Sequence, residues 1–150
     1  MIDHVVFLDT GYAIALAAPR DSFHEQAVQI AGEMEMACTR VVTTRAILLE
    51  IGNALSGLNY RSAAGELLQA LEVDPTVELV SLTDDLYARA LNLFRQRPDK
   101  EWGLIDCLSY VVMRDKGITE ALTTDEHFRQ MGFRALLRER CHQRPKGATP

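Results

Sequence analysis

At 150 residues, with a net charge of −5, 47% apolar and 25% charged residues, the chain has the length of one domain and the composition of an ordinary globular protein. That composition excludes disorder throughout, and no apolar run approaches the roughly 20 residues that a membrane span needs. The opening MIDHVVFLDT lacks a basic start and a cleavage site, so it does not read as a signal peptide, and a cytoplasmic location is expected.

Residues 4–8, HVVFL, read as a short buried strand ending at Asp9. A polar step, Asp9-Thr10-Gly11, leads into the small-residue segment AIALAA, which stops at Pro19. Asp21 or Ser22 is placed to cap a helix that carries Phe23, Ala27, Ile30 and Ala31 and runs to about Ala37. Val41-Val42-Thr43 reads as a second strand. The next helix starts near Thr44, with Ile47, Leu48, Ile51, Ala54, Leu55 and Leu58 as its apolar stripe and Glu50 interrupting it. A further helix fits residues 62–71, Asp74-Pro75 makes a turn, and residues 77–82 alternate as a third strand.

Thr83 or Asp84 caps the following helix, residues 85–95, with Leu86, Ala90, Leu93 and Phe94 facing inward. Residues 97–103 are a polar loop. Residues 104–114 form a helix with Asp106 in its first turn, stopped by Gly117. Residues 121–124 read as a strand that delivers Asp125, residues 126–131 as a short helix, and residues 133–137 as a last edge strand. The domain is expected over residues 1–140, with residues 141–150 as a flexible tail. Strands alternating with helices over short connections predict an α/β domain with a mainly parallel sheet.

Three widely spaced cysteines, without a CxxC pair, argue against a disulfide scaffold or zinc knuckle, and four scattered histidines, without HExxH, against an imidazole-based metal centre. The charge is uneven. Residues 126–150 hold six basic and two acidic side chains, whereas residues 1–125 hold ten and nineteen. The last stretch is therefore able to face a polyanion while the rest carries excess carboxylate.

In a parallel sheet, ligands bind beyond the carboxyl ends of the strands. Asp9 and Asp125 follow strands, Asp106 opens a helix, and Glu50 lies early in another, so four acids have a route to one cleft. Each also has a plain role: Asp9 and Asp125 as helix caps, Asp106 as a favourable charge at a helix start, Glu50 as a solvated helix position. Carboxylates crowded together raise one another's pKa. A hard cation removes that penalty, and oxygen-only ligation favours Mg²⁺ or Mn²⁺. Such an ion suits phosphodiester hydrolysis.

Three segments, VVFLDTGYAIAL, TTRAILLEIGNAL and WGLIDCLSYVVMRDKGITEALTTDEHFRQMGFRAL, cover the chain nearly end to end. In them the sequence resembles the PIN-domain family, metal-dependent ribonucleases that include the toxin halves of toxin–antitoxin pairs. The resemblance implies a three-layer α/β/α domain with a mainly parallel sheet and a metal-dependent endoribonuclease. It makes Asp9, Glu50, Asp106 and Asp125 the metal-binding and catalytic acids, with Mg²⁺ or Mn²⁺ as the ion. Thr10 and Thr124 match positions where the family often has a hydroxyl near the site. RNA is the implied substrate, and a homodimer and an antitoxin protein are implied partners. The alternative is a PIN-like nucleic-acid-binding module without turnover.

His127, two residues after Asp125, is placed either to pack, to contact RNA or to donate to a ligand from behind. Trp102 is expected to cover the start of the helix over residues 104–114, and Phe128, Phe133 and Cys107 to lie in the core. Arg97 and Lys100 are placed to touch phosphate, with surface solvation as the favoured competing role. Arg129, Arg134, Arg138 and Arg140 are candidates to steer RNA, with solvation or an acidic partner as the competing roles.

Overall fold

The computed structural model describes residues 4–141. In chain order its elements are β1 (Val5–Leu8), α1 (Thr10–Ala17), α2 (His24–Ala37), β2 (Arg40–Thr44), α3 (Arg45–Ala54), α4 (Arg61–Val73), β3 (Val77–Val80), α5 (Asp84–Gln96), α6 (Leu104–Lys116), β4 (Glu120–Leu122), α7 (Glu126–Gln130), β5 (Arg134–Ala135) and α8 (Leu136–Cys141). The strands form one sheet in the order β3-β2-β1-β4-β5, and every neighbouring pair is parallel.

That order has a direct consequence for function. The chain winds outward from β1 through β2 to β3, then crosses to the other side of β1 to lay down β4 and β5. The reversal falls between β1 and β4, and a crevice opens beyond their carboxyl ends at such a point. Leu8 lies opposite Leu122 at the ends of these two strands, and the Asp9 N–H donates to the Leu122 carbonyl at 3.1 Å.

The strands are short and apolar because both faces of the sheet are covered. Val6, Phe7, Ala121 and Leu122 are fully buried. Phe7 meets Phe128 of α7 with ring centroids 6.3 Å apart. Burying a ring of this kind contributes roughly 2–3 kcal/mol. Helices flank the sheet in packed groups: α1 lies on α2 and α3, α3 on α4 and α2 on α8, while α5 packs on α6 and α6 on α7. Ile47, Leu48 and Ile51 supply the buried stripe of α3.

Local chemistry fixes where these helices begin and end. The Thr44 and Thr83 hydroxyls accept from the N–H groups of Ile47 and Leu86 and so cap α3 and α5. Gly117, at φ +66°, closes α6 in the left-handed region that suits glycine.

Several expectations are corrected. Residues 133–137 do not form one strand: only Arg134–Ala135 pairs with β4, and Leu136 already starts α8. Leu58 lies beyond the end of α3 and is 95% exposed, and Phe94 is 46% exposed, so neither joins the core. Of the tail expected over residues 141–150, Cys141 is the last residue of α8, and residues 142–150 lie outside the described residues.

Three of the four late arginines are tied to neighbouring groups, and the side chain of Arg140 lies outside what the structure describes. Arg134 pairs with the fully buried Glu120 at 2.5 Å and with Glu139 at 2.7 Å. Arg129 pairs with Glu126, and Arg138 donates from Nε to the Thr124 carbonyl at 2.5 Å. Arg97 pairs with Asp99 and lies over the ring of Trp102, which Lys100 also faces. Trp102 is buried and donates to Gln130, so it covers the start of α6 as expected. A groove of about 440 Å³ runs between α1, α2 and α4, lined mainly by Tyr12, Leu16, Met34, Leu67, Leu71 and Val77. Among the described residues no helix is long and apolar enough to cross a membrane.

Gly11 joins the β1 and β4 exits. A Cβ built on it would lie 2.4 Å from Thr124 Oγ1. A helical Gly→Ala change ordinarily gains up to about 1 kcal/mol. Here Gly11→Ala should instead cost about 1–3 kcal/mol through overpacking. Thermal melting should show a lower Tm for Gly11→Ala and partial recovery when Thr124→Ala is added.

Candidate active site

The crevice between β1 and β4 gathers side chains from four separate parts of the chain. Asp9 comes first, at the C-terminal end of β1. It stands at the head of α1 but makes no side-chain cap to that helix. Its carboxylate turns instead toward the segment after β4, where the Thr123 hydroxyl donates to Oδ2 at 2.6 Å. Asp9 is 7% exposed. Burial pushes its pKa up to about 7, and the negative charges of Asp106 and Glu50 add to the rise, against the partial relief of Thr123 and the Thr10 N–H.

Glu50 enters from α3. It is half-buried, and Thr10 donates to its Oε1 at 2.5 Å. Asp106 enters from the first turn of α6, where its Oδ2 reaches back to accept from the Gly103 N–H at 2.9 Å. Burial raises its pKa and the charge of Asp125 raises it further, while Gly103 and His127 hold it back. Asp125 follows β4 and caps α7, accepting from the His127 N–H at 2.9 Å.

All four sequence-predicted acids therefore reach one electrostatic neighbourhood: Asp9 senses Glu50 and Asp106, and Asp106 senses Asp125. Their plain roles are not exclusive. Asp125 does cap a helix, and Asp106 does satisfy a helix N-terminus, each with one oxygen.

Thr10 acts on the site through Glu50. Thr124 contributes differently from Thr123: its hydroxyl packs over Gly11, and its carbonyl accepts from Arg138. Thr123 is the residue that sequence reasoning missed. It is fully buried, donates to Asp9 and accepts from the Asp125 N–H at 3.0 Å, so one hydroxyl ties two acids together. The Thr-Thr pair before Asp125 is the available signal. Choosing between them requires the end of β4, which falls at Leu122.

His127 also joins the site. Its Nδ1 lies 3.1 Å from Asp106 Oδ2 and 3.3 Å from Asp125 Oδ1. Among the described residues, Asp106, Asp125 and His127 offer ligand atoms that all lie within 4.8 Å of one another. The donor set as a whole is dominated by carboxylate oxygens, which suits a hard divalent cation. The raised pKa of Asp9 marks the same need, since crowded carboxylates must either take up protons or be neutralised by positive charge.

A family profile described as PIN domain matches residues 6–134. The 23S rRNA-specific endonuclease VapC20 of Mycobacterium tuberculosis, in strains CDC 1551 / Oshkosh and H37Rv, is 28% identical over 131 residues, covering 86% of this chain and 95% of that protein. The crystal structure of Mycobacterium tuberculosis VapC20, a sarcin-ricin loop cleaving toxin, superimposes with a TM-score of 0.77 at 26% identity, covering 85% of this chain and 95% of that one.

The buried Asp9 predicts a pH-dependent stability. Its carboxyl keeps its proton in the fold up to about pH 7, whereas the ordinary value is 3.8. The folded chain thus binds the extra proton between those values, and stability falls as pH rises through that window. Without added metal, Asp9→Asn should raise the Tm at pH 8, by an amount equivalent to at most about 4 kcal/mol. Near pH 3.5 the two proteins should melt alike. Melting curves across this range check the sign.

Proposed function

We propose that this chain, which belongs to the PIN domain family, is a toxin-type endoribonuclease that hydrolyses RNA phosphodiester bonds using Mg²⁺ or Mn²⁺ in the acidic crevice. One observation carries the reading: four acids from β1, α3, α6 and the exit of β4 converge at the switch point of the sheet. The likeness to a 23S rRNA-specific endonuclease supports RNA as the substrate class.

Asp9, Glu50, Asp106 and Asp125 are the residues that would hold the metal. When bound, the ion supplies charge against the negative charge that builds on the phosphate and lowers the pKa of a water. The chain's own work is positioning. Thr123 fixes Asp9 and Asp125 relative to each other, and the Gly103 N–H fixes one oxygen of Asp106. Thr10 holds Glu50 by Oε1, which leaves Oε2 to orient the attacking water and accept its proton. Such preorganisation avoids reorienting groups at the moment of reaction.

An antitoxin partner belongs to the same reading. The apolar groove between α1, α2 and α4 offers a surface for an apolar helix of that partner. Leu49 and Leu58, exposed on α3 and just after it, offer a face for a homodimer. A ribosomal RNA target would place the protein in the cytoplasm.

The test is cleavage of an RNA pool that includes a sarcin–ricin-loop oligonucleotide, with Mn²⁺, with EDTA and with Asp9→Asn. Cleavage should require the metal, and Asp9→Asn should lower the rate by about 100-fold or more. Cleavage that survives the substitution would belong to a contaminant. No cleavage by folded, metal-loaded protein, on this pool or on total cellular RNA, would favour the binding module without turnover.

A further inference from the structure

The crevice is chemically asymmetric. On the Asp9 side the donors are Asp9, Glu50 and Asp106, all carboxylates. On the other side Asp106 and Asp125 are joined by an imidazole. Extending the proposed metal-dependent function, on which this rests, we propose that His127 ligates the metal through Nδ1, together with Asp106 and Asp125.

Three features argue for it. The first is spacing. Cis ligands of an octahedral ion with bonds of about 2.1 Å lie about 3 Å apart. The Nδ1 of His127 stands 3.1 Å from Asp106 Oδ2 and 3.3 Å from Asp125 Oδ1, and the three ligand atoms fit within 4.8 Å.

The second is hydrogen-bond capacity. Asp106 Oδ2 already accepts from the Gly103 N–H, and Asp125 Oδ1 from the His127 N–H, both at 2.9 Å. Each oxygen is thus aimed by a backbone donor. The imidazole nitrogen makes its hydrogen-bond contact with Asp106 Oδ2, and Asp125 Oδ1 faces the same nitrogen at 3.3 Å without one, so a single N–H serves only one of the two carboxylates. A cation facing all three atoms has no such conflict.

The third is rigidity. His127 lies in the first turn of α7, its own backbone N–H is engaged by Asp125, and Phe128 beside it is fully buried against Phe7. The ring is therefore carried on a fixed frame.

A nitrogen ligand changes which ion the site prefers. Both ions favour oxygen donors, but Mn²⁺, a first-row transition ion, tolerates an imidazole among carboxylates better than the strictly oxygen-bound Mg²⁺. His127 would thus tilt the site toward Mn²⁺.

The experiment is pulsed electron paramagnetic resonance on the full chain loaded with Mn²⁺, grown with ordinary or ¹⁵N-labelled histidine. A nitrogen coupling of the size given by direct coordination is expected, changing with the label and disappearing in His127→Gln. Titration calorimetry should show Mn²⁺ affinity falling on the order of tenfold in that variant, with Mg²⁺ affinity changing much less. If Mn²⁺ binds in an Asp9-dependent manner but no histidine nitrogen couples to it, the ligand assignment is wrong and the nuclease reading stands. If Mn²⁺ does not bind at millimolar concentration, both fall. Because the label test uses the unsubstituted chain, a poorly folded variant leaves it intact.

Discussion

Asp9 stands at the carboxyl end of the central strand, nearly sealed from water, with Glu50 and Asp106 close enough to raise its pKa further. A carboxylate in such a place costs free energy unless something offsets its charge. The surrounding architecture follows from that constraint. The sheet order brings the exits of β1 and β4 side by side, the Thr123 hydroxyl meets Asp9 from the second exit, and α6 presents Asp106 at its positive end. These contacts reduce the cost without removing it, since Asp9 retains its proton to about pH 7. A fold that keeps this arrangement gives up stability for a site ready to bind positive charge.

Short polar side chains set the geometry of that site. Thr10, Thr123 and the Gly103 N–H each hold one carboxylate oxygen, and Gly11 permits the close approach of Thr124 that draws the two strand exits together. The longer charged side chains have other duties. Arg134 neutralises the buried Glu120 beneath the edge strand, and Arg138 anchors the Thr124 carbonyl. These two arginines, candidates for steering RNA, also tie the scaffold together. Their pairing keeps the loop after β4, and with it Asp125, in register.

The same economy explains why Asp106 and Asp125 serve two purposes. Each gives one oxygen to the end of a helix, which fixes the side chain's direction at little entropic cost. Under the proposed function, helix capping and ion binding would thus reinforce each other rather than compete.

The sequence by itself determined the α/β class, most of the elements and the family, and it singled out four acids that the fold draws into one neighbourhood. Apolar runs ending in acids, helical stripes at regular spacing and the block from Trp102 to Leu136 are local patterns, and local patterns survive in one dimension. It also placed Phe128, Phe133, Cys107 and Trp102 inside. Only the tertiary structure decided what depends on who meets whom. The split of residues 133–137 into a two-residue strand and a helix depends on where β4 offers partners. The exposure of Leu58 and Phe94 depends on which helix faces find a neighbour. The choice of Thr123 over Thr124 as the hydroxyl beside Asp9 turns on a one-residue difference in the end of a strand, which reverses the direction of a side chain. His127 enters the site because α7 turns it toward α6, across 21 positions of sequence. Such contacts are fixed by packing between distant segments, and no local pattern encodes them.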